Sequence, residues 1–357
     1  MKANSAAETF VGTFARNSIF RQQNEAGDRD KENRVMVQLE NLNWKPKWVS
    51  LLGCLQGCLK FLGIEITDSW LYGASGHAFI INIHEVVCPS GPTAWVTREV
   101  LALCENAGCK LEVIVAHKSD GNFIEKQQLA WQKIRNGIDH GSPCFGWDLD
   151  IPEYYVIYGY DEAGYYFRGP LIEAGKGPKS PDTLGDSEIG VVEVIIVKPG
   201  SIASPESTVK QALGFALEFA KNPAKWILPD YRSGLAGYDR WIQALQDGKA
   251  NAFGIAYNAA VWAECRQHAA EFLEEAGNML EKEVQSLLVK ASEHYSHVSQ
   301  NLMHIKNVFP MSGAPFKEND IDAKDQLRIQ STIEYLQAAR AAEKSGLEEL
   351  DKIVSLL

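Results

Sequence analysis

Two cysteines four residues apart, in Gly53-Cys54-Leu55-Gln56-Gly57-Cys58-Leu59-Lys60-Phe61-Leu62-Gly63, are the first residues whose types and spacing suggest chemistry. A cysteine near a helix start meets unpaired backbone N–H groups and the positive end of the helix dipole. Both favour the thiolate, and the N–H groups could stabilise an oxyanion. Cys54 fits that role, while both cysteines also fit a Leu-rich helix as small core residues. The spacing puts the two sulfurs on one helix face, so His77, His84 and Cys88 could in principle complete a zinc site. Structural zinc usually takes a tighter cysteine turn, and neither a metal nor a cofactor is expected. Trp147, Tyr154, Tyr155, Tyr158, Tyr160, Tyr165 and Tyr166 form a dense aromatic set. On alternating strand positions one half would pack a core, and the other, with Trp147, Tyr155 and Tyr158, could line a substrate cleft.

The elements that must position these residues are legible from periodicity. Leu51, Leu55, Cys58, Leu59 and Leu62 recur at helical spacing and Gly63 caps the run, which predicts a buried helix from Trp48. A short capped helix at 67–73, a strand at 78–83, a Pro/Gly loop at 88–92, a helix at 97–107, a strand at 111–116 and a helix at 123–138 follow. Three strands, 144–147, 154–158 and 165–168, read as a meander, and 190–197 adds another. From Ser204 onward the stripes are helical, with Pro205 suited to a first turn and no strand signal. The expected organisation is a flexible leader at 1–40, an α+β domain with an antiparallel sheet at 41–203, and an all-α domain at 204–357.

Composition narrows the class. The chain has 357 residues, 45% hydrophobic and 23% charged, as in a soluble globular protein of about two domains. Lys and Arg total 35 against 46 Asp and Glu, a net charge of −11 that would repel a phosphate backbone. No nucleic-acid partner is expected. No apolar stretch approaches the roughly 20 residues of a membrane span, and the start lacks a secretion signal. Seven cysteines, an odd number, then fit reduced thiols in a cytoplasm.

The Cys54 helix, the Gly73–His77 turn, the middle helices and the run from Pro152 through Gly159-Tyr160-Asp161 to Gly169-Pro170 resemble the N-terminal domain of the butirosin biosynthesis protein H family. The resemblance covers roughly residues 48–200, and a helical domain commonly follows in that family. It implies a papain-like fold, related to the double-glycine-leader peptidases, with Cys54 at the nucleophile position. Glu153 stands where the family carries His, and Gly169-Pro170 where it carries Asp-Pro. An imidazole deprotonates the thiol and reprotonates the leaving group, so this departure calls for another acid and base. A protonated, desolvated Glu153 could serve, and His77, in Gly76-His77-Ala78-Phe79, is the nearby histidine nominated as a replacement base. A structural hydrogen-bonding role fits His77 as well.

The resemblance implies cysteine-dependent acyl transfer in secondary metabolism, from the thioester of an acyl carrier protein to a small-molecule amine, with amide or thioester hydrolysis as a sibling chemistry. The alternative is a papain-like scaffold that has lost its triad and binds a small molecule, a peptide or a partner protein.

Overall fold

The computed structural model of the chain describes residues 36–311 and 324–357. Most of the expected leader lies outside the described residues. In chain order the elements are β1 (Val37–Gln38), α1 (Ser50–Phe61), α2 (Asp68–Ala74), β2 (Asn82–His84), α3 (Arg98–Cys104), β3 (Ala107–His117) and α4 (Phe123–Asp139). A meander follows, β4 (Cys144–Trp147), β5 (Tyr154–Asp161), β6 (Gly164–Gly169) and β7 (Ile172–Lys179), and then β8 (Val191–Ile202). Next come α5 (Pro205–Lys221), β9 (Tyr231–Ser233), α6 (Leu235–Gln246), α7 (Ala252–Gly277), α8 (Lys282–Val308) and α9 (Gln326–Leu356). The fold is mixed α+β, with an antiparallel sheet and a helical C-terminal region.

Two compact units emerge, and they differ from the expected division. One comprises residues up to Ile66 together with Gly108–Gly200; the other joins Thr67–Ala107 to Ser201–Leu357. The boundary expected at 203/204 therefore falls close to the observed one, whereas 67–107 belongs with the helical unit.

The first unit is built on a sheet of order β3-β8-β4-β5-β6-β7, with β1 added to β5 opposite Gly159 and Tyr160. The pairs β4–β5, β4–β8, β5–β6 and β6–β7 are antiparallel. Asp161 closes the β5–β6 hairpin, its Oδ1 accepting from Ala163 N at 2.7 Å and Gly164 N at 3.1 Å. Such a side-chain turn is what Asp offers the backbone. The edge strand β7 has no sequence signal because Gly175, Gly177 and Pro178 interrupt it. An edge position tolerates proline, and pairing with β6 supplies the order that propensity does not.

Helix α1 is buried through its first ten residues, Ser50 to Leu59, rather than along one stripe. The glycines explain this. A methyl group at Gly53 or Gly57 would run into the backbone carbonyls of Lys45 and Asn43, and Lys45 N donates to Gly53 O at 3.0 Å. The extended segment before the helix thus lies along its small-residue face. Gly63, at φ 75°, ends the helix, with Ile64 N donating to Leu59 O at 2.9 Å.

The second unit surrounds α7, whose residues from Ala252 to Ala263 are all buried. The strand expected at 78–83 begins instead as a single 3₁₀ turn, His77–Phe79, and β2 pairs with β9 across His84↔Tyr231 and Asn82↔Ser233. This strand pair corrects the expectation of an all-α C-terminal region. Arg266 on α7 is fully buried: its Nε and a terminal nitrogen meet Glu343 of α9 at 2.7 and 2.9 Å. Its other nitrogen donates to Ala78 O and Ile80 O at 2.9 and 2.6 Å, and Tyr238 donates to Glu343 at 3.0 Å. The desolvated pair is therefore fully hydrogen-bonded, the condition under which a buried charge is tolerated.

Candidate functional site

The residue at the N-terminus of α1 is Ser50. Val49 precedes it in an extended conformation, and the first intrahelical bond is from Gly53 N to Val49 O at 3.0 Å. The backbone N–H groups of Ser50, Leu51 and Leu52 thus have no acceptor within the helix. Ser50 Oγ donates to Glu153 Oε2 and accepts from Tyr154 N at 3.0 Å. Ser50 and Glu153 are 3% and 6% exposed. A hydroxyl at a helix N-terminus, hydrogen-bonded to a carboxylate, is the geometry of a nucleophile beside its base.

Cys54 lies one turn further along and has no exposed surface. Burial, and next the Glu153 carboxylate, push its thiol well above the usual range, against a weaker hydrogen bond with the Val156 backbone. The helix-start depression expected at Cys54 is thereby reversed, since the dipole effect fades beyond the first turn and desolvation takes over. Burial raises Cys58 in the same way, with the neighbouring thiols of Cys54, Cys144 and Cys109 adding to it. All seven cysteines are buried, and none is in a disulfide.

His77 belongs to the second unit, not to the unit that holds Cys54 and Glu153. Its Nδ1 lies 3.6 Å from Cys265 Sγ, and its ring meets the edges of Trp95 and Tyr72 at 5.4 and 6.3 Å. Burial lowers its pKa to about 3. A neutral histidine in an apolar packet fits the structural role. For the zinc alternative, no group of three or more His, Cys, Asp or Glu among the described residues is placed to hold a metal ion.

No family model matches the chain, and no curated protein matches it either.

Among the aromatics, Tyr155 belongs to the core set: it is fully buried, packs edge-on against Phe167 at 5.5 Å and accepts at its hydroxyl from Ile151 N at 3.4 Å. Its placement corrects the cleft assignment. Trp147 is buried opposite Tyr154, its register partner, with rings 5.0 Å apart. Tyr158 is half-buried on the meander beneath the guanidinium of Arg168, 4.0 Å from its ring centre. The loop between Trp147 and Glu153 turns at Asp148, whose φ of 58° is left-handed and whose buried carboxyl is raised by desolvation, partly offset by a hydrogen bond from Ser187. Asp148 N donates to Glu153 O at 2.9 Å and so fixes the strand start beside Ser50.

Ser50 was missed in the sequence because the apolar stripe begins around it and a lone serine carries no spacing signal. Its one clue is chemical: it is the hydroxyl directly preceding the Leu51-Leu52 run, where a helix leaves N–H groups unpaired.

Proposed function

We propose that the first unit is a papain-like scaffold that handles acyl groups, with Ser50 rather than Cys54 as the nucleophile and Glu153 as its base. The hydrogen bond from Ser50 Oγ to Glu153 at the N-terminus of α1 carries this reading. In the first step the Ser50 proton passes to Glu153, Oγ bonds the carbonyl carbon of an acyl thioester, and the N–H groups at the start of α1 stabilise the oxyanion. The carbon–sulfur bond then breaks and Glu153 returns the proton to the departing sulfur. An acceptor amine, or water, attacks the ester, gives up a proton, and Oγ regains one. The expected donor is an acyl carrier protein thioester, the acceptor a small-molecule amine, and the setting cytoplasmic; no described helix is long and apolar enough to cross a membrane.

A second reading is favoured by the hydrogen bonds that already hold Ser50, whose one proton and one of two lone pairs are engaged. In it the pair ties helix to strand, and the scaffold binds a small molecule, a peptide or a partner protein. Incubation with a fluorophosphonate probe, followed by peptide mapping, separates the two. A Ser50 adduct, lost in Ser50→Ala and retained in Cys54→Ala, is the expected result. An unlabelled Ser50 in the folded protein would reject catalysis and leave the binding reading.

A further inference from the structure

Resting on the Ser50–Glu153 reading, we propose that Tyr154 and Glu193 are positioning residues for Ser50, acting through the peptide group that joins Glu153 to Tyr154. Both sides of that peptide are held. Its carbonyl accepts from Asp148 N at 2.9 Å, and its N–H donates to Ser50 Oγ at 3.0 Å. The side chain that follows is clamped as well: the Tyr154 phenol donates to Glu193 Oε2 on β8 at 2.7 Å, and its ring packs on Trp147 of the intervening β4. Tyr154 and Glu193 are 4% and 7% exposed, so this bond is made away from competing water. The peptide cannot rotate without straining a contact at its carbonyl, its N–H or the phenol.

The consequence for Ser50 is directional. A serine hydroxyl has one proton and two lone pairs. With the Tyr154 N–H occupying one lone pair, the proton is aimed at Glu153, and the same N–H remains on Oγ to stabilise the negative charge that develops as the proton leaves. Glu193 touches neither Ser50 nor Glu153 through any of these bonds; its effect passes through Tyr154.

The test measures the rate of fluorophosphonate labelling at Ser50 in the full chain. Tyr154→Phe removes the phenol donor and is expected to slow labelling by about three- to tenfold, the range of one hydrogen bond. Glu193→Leu should do the same, Glu193→Gln should label within about twofold of the unmodified protein because it keeps an acceptor, and Tyr154→Phe/Glu193→Leu should be no slower than either single variant. Rescue by Gln and this non-additivity are not produced by general loss of stability. Phe145→Leu, beside Tyr154 with rings 6.1 Å apart, is the control that weakens packing without touching the chain of bonds, and it should label normally. Wild-type rates in Tyr154→Phe and Glu193→Leu, additive losses, or equal slowing in Phe145→Leu would overturn the positioning role. Should Tyr154→Phe fail to fold, the contrast between Glu193→Gln and Glu193→Leu decides alone. An unmodified protein unlabelled at Ser50 rejects the catalytic reading itself, and the positioning role with it.

Discussion

His77 is 1% exposed among Tyr72, Trp95 and Cys265, and its pKa of about 3 follows from desolvation, with Arg266 opposing the proton further. The unfolded chain would take up that proton near the ordinary histidine value of about 6.5. A depressed folded pKa contributes stability that is fully present above about pH 6.5 and is lost as pH falls toward about 3. Urea midpoints should therefore drop between about pH 7 and 5, and His77→Asn should flatten that dependence. Equal slopes in the two proteins would show that His77 accepts a proton in the folded state. The same rule of desolvation acts at Cys54, one turn into α1 and without exposed surface, whose thiol is raised chiefly by burial.

At the scale of elements, the Arg266–Glu343 pair joins α7 to α9 and to the 3₁₀ turn carrying His77. Removing one partner strands a buried charge, so Glu343→Ala is expected to cost about 3–5 kcal/mol, read from denaturant midpoints. Arg266→Met/Glu343→Leu should recover much of that loss, because two apolar groups leave no charge behind. A Glu343→Ala protein of unchanged midpoint would mean that Arg266 finds water. The surface pair Lys221–Asp351, with both side chains more than half exposed, offers the contrast, and Asp351→Asn should leave the midpoint unmoved. The helices themselves were legible because their stripes are local: 123–138 was expected and Phe123–Asp139 is observed, and the expected strand 144–147 matches Cys144–Trp147. The strands β7 and β9 were not: Gly175, Gly177 and Pro178 interrupt β7, which is ordered by pairing with the adjacent β6, and β9 is ordered by β2, a partner distant in sequence.

Across the whole molecule, the chain passes between its units at 66/67, 107/108 and 200/201. The helical unit is therefore discontinuous. Ser201–Leu357 made alone would lack β2, the partner of β9, and the Ala78 and Ile80 carbonyls that accept from Arg266. Loss of a cooperative thermal transition is expected, with recovery when 67–107 is supplied as a second chain. A sharp transition from Ser201–Leu357 by itself would show that the segment 67–107 is dispensable. The sequence by itself determined what depends on neighbours within a few residues: the helical stripe and its Gly63 stop, the Asp161 turn, the helical character after Ser204, and a Glu153 standing at a strand start. The tertiary structure alone decided that Ser50 meets Glu153 across 103 positions, that His77 faces Cys265 across 188, and that 67–107 joins the C-terminal unit. Periodicity reports which face of an element is apolar, whereas the choice of partner is made by packing among faces that sequence patterns leave equivalent.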